Sequence, residues 1–263
     1  MLMLTNAYVR QRTLSDNSSH NRISQAFNKA STTYTAHSQL QLQTCNTLIT
    51  LLKPNLFHQQ KIADFACGTG ISTKRLIATY GHNQYYAIDF AQQAVLVAKN
   101  QLVALDINFI IGDYNARHFA NETLDLAFSN LGVNWSVNLG ETFKMMFKQL
   151  KRGGILAFSV PIDDNFKQLK KEFRNQCYKA EEILILLQDT GFLLNKFCIF
   201  TYDQLYKDAL SALKSLKNTG TNINLCNPVT SLIPITKLDH MFEDDKQISL
   251  TYKIGLFVAT RHD

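Results

Sequence analysis

Acidic and amide side chains stand at the ends of several apolar runs in this sequence. Asp64 lies in KIADF, Asp89 ends YYAID, Asp113 follows INFIIG and Asn130 ends LDLAFSN. Because the carboxyl ends of parallel strands meet along one edge of a sheet, we expect these side chains to lie close together. A carboxylate at Asp89 can accept hydrogen bonds from both hydroxyls of a ribose, and one at Asp113 can accept from the exocyclic amine of an adenine.

A glycine turn connects the first run to a helical pattern. Gly68 and Gly70 follow the strand, and the helical pattern begins at Ile71. Glycine lets the backbone approach a ligand where a Cβ atom would collide, and the first turn of a helix offers N–H groups without an intrahelical partner. A dinucleotide fingerprint would place a third small residue where this chain has Thr73. The two glycines alone therefore do not identify the ligand.

Residues 61–161 alternate between strand and helix patterns. The four runs above are followed by LKRGGILAFSV, a fifth strand after the turn at Gly153 and Gly154. Five such alternations predict right-handed crossovers and a parallel sheet whose ligand lies at the carboxyl ends of its strands. We expect one α/β domain over residues 21–263, with residues 61–161 as its cofactor-binding core.

The segments around this core extend the fold. Residues 1–20 show no sustained period and predict a mobile extension, whereas residues 21–54 predict two helices. The pattern over residues 163–190 is mainly helical. A sixth strand is expected at residues 195–201 and a seventh at ISLTYKIGLFVATR, and residues 203–242 between them predict a helical insertion that covers the substrate as a lid.

Together these motifs resemble the class I methyltransferases that use S-adenosylmethionine (SAM). The resemblance implies a Rossmann-like seven-strand sheet with its last strand antiparallel, SAM as the cofactor and S-adenosylhomocysteine as the product. For Asp64 two roles stay open, orienting the turn or meeting the methionine amino group, and Asn130 is expected beside the methionine part of SAM. The implied cofactor-binding residues are Asp64, Ala66, Cys67, Gly68, Gly70, Asp89, Phe90, Asp113, Tyr114 and Asn130.

The first motif departs from this family at one position. The family usually has glycine before the Cys-Gly-x-Gly turn, and this chain has Ala66. The additional methyl group lies close to the methionine part of the cofactor, so the change is either a tolerated small-for-small replacement, which we favour, or a loss of binding. Cys67 is interpreted as a small apolar filler and not as a nucleophile.

Segments outside the cofactor motifs resemble one subfamily, the malonyl-[acyl-carrier protein] O-methyltransferases of biotin synthesis. The insertion is the most specific part of this likeness, because other class I methyltransferases do not share it. The resemblance implies transfer of the SAM methyl group to the free carboxylate of a malonyl thioester on acyl carrier protein. The matching segments are an N-terminal signature of Ile23, Phe27, Ala30, Tyr34, His37 and Gln41, then SNLGVNW (129–135), DALSALKSLKNTG (208–220) and LTYKIGLFVATR (250–261).

The implied chemistry needs positioning more than proton transfer. A malonyl carboxylate is ionised at neutral pH and can attack the sulfonium methyl directly. The enzyme therefore accelerates the reaction by orienting the reacting groups and excluding water from the pocket. We expect Tyr34 and Trp135 to form walls of that pocket and assign the catalytic role to them. The alternative for both aromatic residues is packing in the core. His37 is a weaker candidate that can instead bond to a neighbour.

A second departure concerns the acidic substrate. The subfamily commonly has an Asn-Arg-Phe segment whose arginine suits an anionic substrate, and this chain has Asn175, Gln176 and Cys177 there. Glutamine donates two hydrogen bonds but has no charge. Either a nearby cation such as Arg174 or Lys179 takes its place, or the substrate differs somewhat.

The net charge of +6 favours an acidic partner, and acyl carrier proteins are acidic. Two groups of cations could contact such a carrier, although groups of this kind often mark a solvated helix face. Nucleic acid is a poorer match because no run of five basic residues occurs and the aromatic residues are not interleaved with cations. The first group is Lys167, Lys170, Lys171 and Arg174, at helical spacing, and the second is Lys207, Lys214 and Lys217.

Composition places the chain among cytoplasmic enzymes. No stretch approaches the roughly 18 apolar residues of a membrane span, and the N-terminus lacks the apolar core of a signal peptide. The five cysteines are scattered without a CxxC pair, which argues against a disulfide framework and a zinc site and for a reducing compartment. We expect no metal and no membrane contact.

Three functions fit these observations. The first is the carrier-protein carboxyl methyltransferase, supported by the insertion and the N-terminal signature. The second is a SAM-dependent O-methyltransferase for a free small-molecule acid or phenol. The third is a non-catalytic binding module that kept the fold, which Ala66 and Gln176 make conceivable and which the intact Gly68–Gly70 turn opposes.

Overall fold

A computed structural model describes residues 16–52, 60–221, 238–243 and 248–262. Two helices come first, and strands and helices then alternate along the chain, except that no helix separates the third strand from the fourth. The helices are α1 (Asp16–His37), α2 (Gln39–Leu52), α3 (Ile71–Tyr80), α4 (Gln92–Gln101), α5 (Leu139–Gln149), α6 (Ala180–Thr190) and α7 (Ala209–Asn218). The strands are β1 (Lys61–Phe65), β2 (Gln84–Asp89), β3 (Ile107–Ile111), β4 (Leu124–Asn130), β5 (Leu150–Pro161), β6 (Phe192–Leu205) and β7 (Ser249–Arg261).

The seven strands form one sheet in the order β3-β2-β1-β4-β5-β7-β6. Strands β1 to β5 are parallel, and β7 is antiparallel to both of its neighbours, β5 and β6. Central strands such as β1 are buried along nearly their whole length, as expected for a parallel sheet with both faces covered. The predicted α/β sheet with an antiparallel last strand is therefore confirmed.

Apolar side chains fill both sides of the sheet. One cluster joins Phe143 of α5 and Ile183 of α6 to the sheet residue Phe158. The other joins Leu48 of α2 and Leu76 of α3 to the opposite face. The N-terminal helix α2 is thus part of the core, and its first turn lies where the strands end.

The order of the strands brings the predicted polar residues to one edge. Asp64 on β1 is in register with Ala87 on β2, and Asn130 at the end of β4 pairs with Ser159 on β5. Asp89 ends β2 beside Ile111 of β3. These residues occupy the carboxyl ends of parallel strands at the place where the strand order reverses, which is where such sheets bind ligands.

The prediction of a helix after each of the first five strands is wrong between β3 and β4. Residues 112–123 form turns, and their aromatic residues pack into the core instead. Tyr114 donates a hydrogen bond from its hydroxyl to the Gly132 carbonyl at 3.1 Å, and the Phe119 N–H donates to Gln149 Oε1 at 2.9 Å. Tertiary contacts therefore replace the hydrogen bonds that a helix would make.

The mainly helical pattern predicted for residues 163–190 is also wrong before α6. Only the single 3-10 turn Lys171–Phe173 forms there. Backbone N–H groups of this segment bond to distant partners, with Phe166 donating to the Thr251 carbonyl at 2.8 Å and Lys170 to the Met241 carbonyl at 2.8 Å. The first group of cations consequently does not lie on a helix face, which corrects that expectation.

Other boundaries differ modestly from the predictions. Helix α1 begins at Asp16, inside the segment expected to be mobile, and residues 1–15 lie outside the described part of the chain. Strand β6 is longer than the predicted 195–201 and includes the first residues of the expected insertion. Helix α7 follows, while residues 222–237 of the insertion fall outside the described ranges. Within those ranges, no helix is both long enough and apolar enough to cross a membrane.

Candidate active site

Two cavities open side by side at the carboxyl ends of the strands. The first, which we call the cofactor cavity, is lined by Phe27, Ser31, Tyr34, Ala66, Gly68, Thr69, Asp89, Phe90, Ala91, Ala94, Tyr114, Asn130, Leu131, Gly132 and Trp135. The second, larger one, which we call the acceptor cavity, is lined by Phe27, Tyr34, Ala36, His37, Gln39, Leu40, Gln41, Leu131, Asn134, Trp135, Leu139, Val160, Pro161, Asn165, Phe166, Asn175, Gln176, Cys177, Tyr178, Tyr202, Gln204, Ser215, Thr219, Thr221, Tyr252 and Ile254.

Four side chains form the wall that the two cavities share. Phe27 and Tyr34 come from α1, Leu131 follows β4, and Trp135 lies in the 3-10 turn after it. Phe27 and Trp135 pack edge to face with their ring centres 5.5 Å apart. A group held in one cavity therefore meets a group held in the other at an aromatic boundary.

Tyr34 and Trp135 were both expected to be pocket walls, and the structure brings them together. Trp135 is largely buried, with 9% of its surface exposed, and also packs against Ile23. Burial, and secondarily the charge of Asp89, raise the pKa of Tyr34 far above its usual range. The Tyr34 hydroxyl therefore stays neutral at physiological pH and can donate a hydrogen bond.

The glycine turn lies at the floor of the cofactor cavity. Cys67 N–H donates to the Ile88 carbonyl at 3.0 Å, and Gly68 N–H donates to Asp89 Oδ2 at 2.8 Å. Gly68 has φ of +54°, and a Cβ atom there would meet nothing within 4 Å, so this backbone faces open space. Gly70 has φ of +85° and instead faces α4, because a Cβ atom would lie 3.1 Å from the Cβ atom of Ala98.

Asp89 lines the cofactor cavity, and both of its carboxylate oxygens accept backbone hydrogen bonds. Oδ2 accepts from Gly68 N–H and Oδ1 accepts from Ala91 N–H, each at 2.8 Å. Burial raises the pKa of Asp89 to about 6, although these hydrogen bonds oppose the shift. A carboxylate oxygen can accept more than one hydrogen bond, so the ribose role predicted for Asp89 is compatible with this geometry.

Asp64 lies beneath the turn, outside the residues that line the cofactor cavity. Its Oδ2 accepts hydrogen bonds from Ser72 Oγ and Thr73 Oγ1, each at 2.6 Å, and only 1% of its surface is exposed. Burial raises its pKa to about 7. This geometry fits the first of its two predicted roles, because Asp64 fastens the start of α3 to the end of β1.

Cys67 is buried beside the turn and also lies outside the cavity lining. Burial, and secondarily the charges of Asp89 and Asp64, raise the pKa of its thiol well above the usual value. A thiol held in its neutral form is a poor nucleophile. This arrangement is consistent with a packing role for Cys67.

Phe90 and Tyr114 line the cofactor cavity with their rings 6.1 Å apart, whereas Asp113 does not line it. The Asp113 carboxylate accepts hydrogen bonds from Asn115 N–H at 2.8 Å and from Asn115 Nδ2 at 2.9 Å. These hydrogen bonds stabilise the loop after β3. The contact of Asp113 with an adenine amine stays a prediction.

Ala66 occupies space that Gly132 leaves open. Ala66 has φ of 60°, and a Cβ atom built on Gly132 would lie 2.4 Å from the Ala66 Cβ. The methyl group that distinguishes this chain from the family's usual glycine therefore fits only because its neighbour across the cavity lacks a side chain.

A hydrogen-bond network ties the end of β4 to the N-terminal helices. Asn130 Nδ2 donates to the Gln41 carbonyl at 2.9 Å, and Ser159 Oγ donates to Asn130 Oδ1 at 2.8 Å. Leu131 N–H donates to Ser159 Oγ at 2.9 Å, which fixes Leu131 in the left-handed conformation at φ of 55°. Backbone strain of this kind persists where surrounding contacts enforce it, often at functional sites.

Apart from His37, the lining of the acceptor cavity consists of apolar and neutral polar residues. Of the described residues, neither Lys nor Arg nor any acidic residue lines it. Gln176 lies at its mouth with an exposed side chain, and Arg174 lines a smaller adjoining cavity together with Lys171, Asp163 and Asp164. His37 Nε2 lies 3.3 Å from Asn218 Nδ2, within hydrogen-bond distance.

Sequence reasoning did not identify several of these residues as parts of the site. Phe27 and Gln41 were noted only as members of the N-terminal signature, although their positions lie on the same side of the helices as Tyr34. Leu131 and Gly132 lie between Asn130 and Trp135, and this location was the available signal. No feature of the sequence marks Ser31, Ala91 and Ala94 as parts of the site, because their positions depend on how the helices pack.

Residues 62–154 match a family model described as a methyltransferase domain. Among solved structures, the YcgJ protein of Bacillus subtilis superposes with a TM-score of 0.63 at 13% identity, covering 83% of this chain and 99% of that one. Geranyl diphosphate C-methyltransferase from Streptomyces coelicolor, solved with S-adenosyl-L-homocysteine, superposes with a TM-score of 0.55 at 12% identity, covering 82% and 74%. At such identities these likenesses show the fold alone.

Curated relatives are similar over most of the chain. Malonyl-[acyl-carrier protein] O-methyltransferase 2 of Coxiella burnetii is 37% identical over 248 residues, which cover 93% of this chain and 98% of the relative. The malonyl-[acyl-carrier protein] O-methyltransferase of Enterobacter lignolyticus is 27% identical over 75% of this chain and 78% of its own. Together with the fold and the two cavities, these similarities show that the chain belongs to the malonyl-[acyl-carrier protein] O-methyltransferase family of SAM-dependent enzymes.

Proposed function

We propose that this chain methylates the free carboxylate of malonyl-[acyl-carrier protein] with SAM as methyl donor, an early step of biotin synthesis. The observation that supports this most is the wall shared by the two cavities. Among the described residues, the two cavities meet along Phe27, Tyr34, Leu131 and Trp135, where a cofactor and an acceptor can approach each other. A reaction between two bound groups, without a covalent enzyme intermediate, needs this arrangement.

Residues of the cofactor cavity fit SAM by their chemistry. Asp89 offers a carboxylate for ribose hydroxyls, Phe90 and Tyr114 offer apolar surface for an adenine ring, and the open backbone at Gly68 gives room for the methionine part. Asn130 lies beside that part in our assignment. When bound, SAM supplies an electrophilic methyl group: a carboxylate oxygen bonds to the methyl carbon as the carbon–sulfur bond breaks, leaving a methyl ester and S-adenosylhomocysteine.

The chain contributes orientation and exclusion of water. Tyr34 and Trp135 confine the reacting groups, and Tyr34 stays protonated as a hydrogen-bond donor. No proton has to be removed from a malonyl carboxylate, whose ordinary pKa lies far below neutral pH. A lining with few charges raises the reactivity of that carboxylate by removing its water, provided that hydrogen-bond donors remain to hold it.

The carrier is proposed to dock beside the mouth of the acceptor cavity. Lys171 and Arg174 lie next to that mouth, and Lys214 and Lys217 are exposed on α7. An acidic protein fits this surface, whereas we propose neither nucleic acid nor a membrane as partner. The reducing environment suggested by the scattered cysteines supports a cytoplasmic location for the reaction.

Methyl transfer from labelled SAM tests the proposal. Malonyl-loaded carrier, unloaded carrier, free malonate and a panel of small phenols are assayed side by side at equal concentration. Label on the loaded carrier alone supports the proposed function. Label on a free acid or phenol, with none on the carrier, would instead assign the chain to small-molecule acceptors, and measurable SAM binding without transfer to any acceptor would favour a binding module.

A further inference from the structure

The junction between the two N-terminal helices opens into the acceptor cavity. Helix α1 ends at His37 and α2 begins at Gln39, so the backbone breaks at Ser38. The first-turn N–H groups of a helix lack intrahelical partners and form its positive end. Residues on both sides of the break line the acceptor cavity, namely Ala36, His37, Gln39, Leu40 and Gln41.

One buried side chain at this junction has a polar atom without a partner. Gln41 is 7% exposed and lines the acceptor cavity, and its Oε1 accepts no hydrogen bond. A buried amide oxygen without a partner costs free energy. A carboxylate has only acceptor oxygens, so it can bond to this amide once the side chain turns over and presents its NH₂ group. An amide side chain can rotate to present its NH₂ donor or its oxygen at nearly the same place.

The position of Gln41 is fixed from the cofactor side. Its backbone carbonyl accepts the hydrogen bond from Asn130 Nδ2, and Asn130 lines the cofactor cavity. Ser38 Oγ donates to the Thr35 carbonyl at 2.9 Å, so one exposed carbonyl at the end of α1 is already bonded. The helix start and Gln41 therefore lie at a fixed place relative to the cofactor cavity.

Charge at this place favours an anion. Helix α2, QLQLQTCNTLITLL, contains no charged residue, and no acidic residue of the described chain lines the acceptor cavity. Helix N-termini are common sites for carboxylates and phosphates because their N–H groups and dipole favour negative charge. Arg174 lies in the lining of the adjoining cavity together with Asp163 and Asp164.

We propose that the acceptor carboxylate is held by the first-turn N–H groups of α2 and the side-chain amide of Gln41, in place of the arginine that Gln176 replaces. This inference rests on the proposed function, because it takes the anion to be the carboxylate of the malonyl group. Neutral donors orient the attacking oxygen and leave its negative charge available for reaction with the methyl carbon.

Three single variants of the full chain test this role. Gln41→Glu nearly preserves the shape but places a second carboxylate beside the first, and Gln41→Met removes the amide at similar length. Gln43→Glu is the matched control, because it puts the same charge on the same helix at a residue outside the cavity lining. Steady-state kinetics with malonyl-loaded carrier, SAM affinity by calorimetry and thermal unfolding are measured for each variant.

Both Gln41 variants should lower kcat/KM for the malonyl carrier by about tenfold or more, mainly through KM, while Gln43→Glu and all SAM affinities change by less than about twofold. The inference is overturned if Gln41→Glu is as active as Gln43→Glu, or if its loss of activity follows an equal loss of SAM affinity. If Gln41→Glu does not fold, the Gln41→Met result decides. An inactive wild-type protein would instead refute the proposed function itself.

Discussion

Gly132 and Ala66 meet in a contact that leaves no room for a second methyl group. A Cβ atom on Gly132 would lie 2.4 Å from the Ala66 Cβ, 2.7 Å from Ser129 Oγ and 3.2 Å from the Phe65 carbonyl oxygen. Carbon atoms in favourable contact are about 3.5 to 4.0 Å apart. Replacing Gly132 by alanine therefore forces the loop after β4 and the turn after β1 apart by about 1 Å, the difference between 3.5 and 2.4 Å.

We expect Gly132→Ala to lower the free energy of unfolding by about 1 to 3 kcal/mol, the usual cost of overpacking. It should also weaken SAM binding, because both residues line the cofactor cavity. Ala66→Gly alone should change stability by less than about 1 kcal/mol, since relief of the left-handed backbone offsets the greater chain entropy of glycine. In the double variant, the methyl group on residue 132 occupies the space that the Ala66 methyl group leaves. The double variant should therefore be more stable, by at least about 1 kcal/mol, than the sum of the two single changes in the free energy of unfolding predicts.

Urea unfolding and SAM calorimetry on the wild type, both single variants and the double variant measure this coupling. Ser129 Oγ lacks a hydrogen-bond partner and can turn away from the new methyl group, so it should not prevent the recovery. Gly140→Ala, in helix α5, is the matched control. Its Cβ atom would lie 3.3 Å from Leu186 Cδ2, the end of a flexible side chain that can move aside, so stability should change by less than about 1 kcal/mol. Additive penalties in the double variant, or a Gly132→Ala protein as stable as the wild type, would refute the reasoning.

Three further predictions concern single side chains. Asp89→Ala should weaken SAM binding by about 1.5 to 3 kcal/mol, the value of a charged hydrogen bond, and unchanged affinity in calorimetry would remove its ribose role. Burial raises the pKa of Asp64 to about 7, so the folded protein binds more protons than the unfolded chain and loses stability as the pH rises from about 4 to about 7. Asp64→Asn should flatten this decline in urea titrations, and an unaltered slope would contradict the burial argument. Tyr34→Phe should lower kcat with little change in SAM affinity, since the hydroxyl is lost from the wall between the cavities while the ring stays; wild-type kcat would count against its role.

The sheet and its ligand edge could be predicted because local sequence determines them. Asp89 and Asn130 end apolar runs, and parallel strands place such ends together whatever the details of packing. The turn at Gly68 was equally visible, since its positive φ needs glycine. Tyr34 and Trp135 were found through resemblance, and their meeting at the shared wall depends on how α1 docks against the sheet.

The remaining features depend on contacts between distant segments. The sequence between β3 and β4 gives no sign that Tyr114 will bond to the Gly132 carbonyl and so take the place of a helix. Residues 163–179 have a helical period, yet their backbone bonds to β7 and to residues 241–242. The sequence does not show that the Gln41 side chain is buried with its Oε1 atom lacking a hydrogen-bond partner, because this depends on the residues packed around it.

The central claim is that this chain forms a methyl ester on a carrier-bound malonyl group. Intact-mass spectrometry of malonyl-loaded carrier incubated with SAM and the protein tests it most directly, with acetyl-loaded carrier, which lacks the free carboxylate, as the control. The account predicts a gain of one methylene mass on the malonyl carrier alone. Unmodified malonyl carrier in the presence of bound SAM, or equal modification of the acetyl carrier, would contradict it.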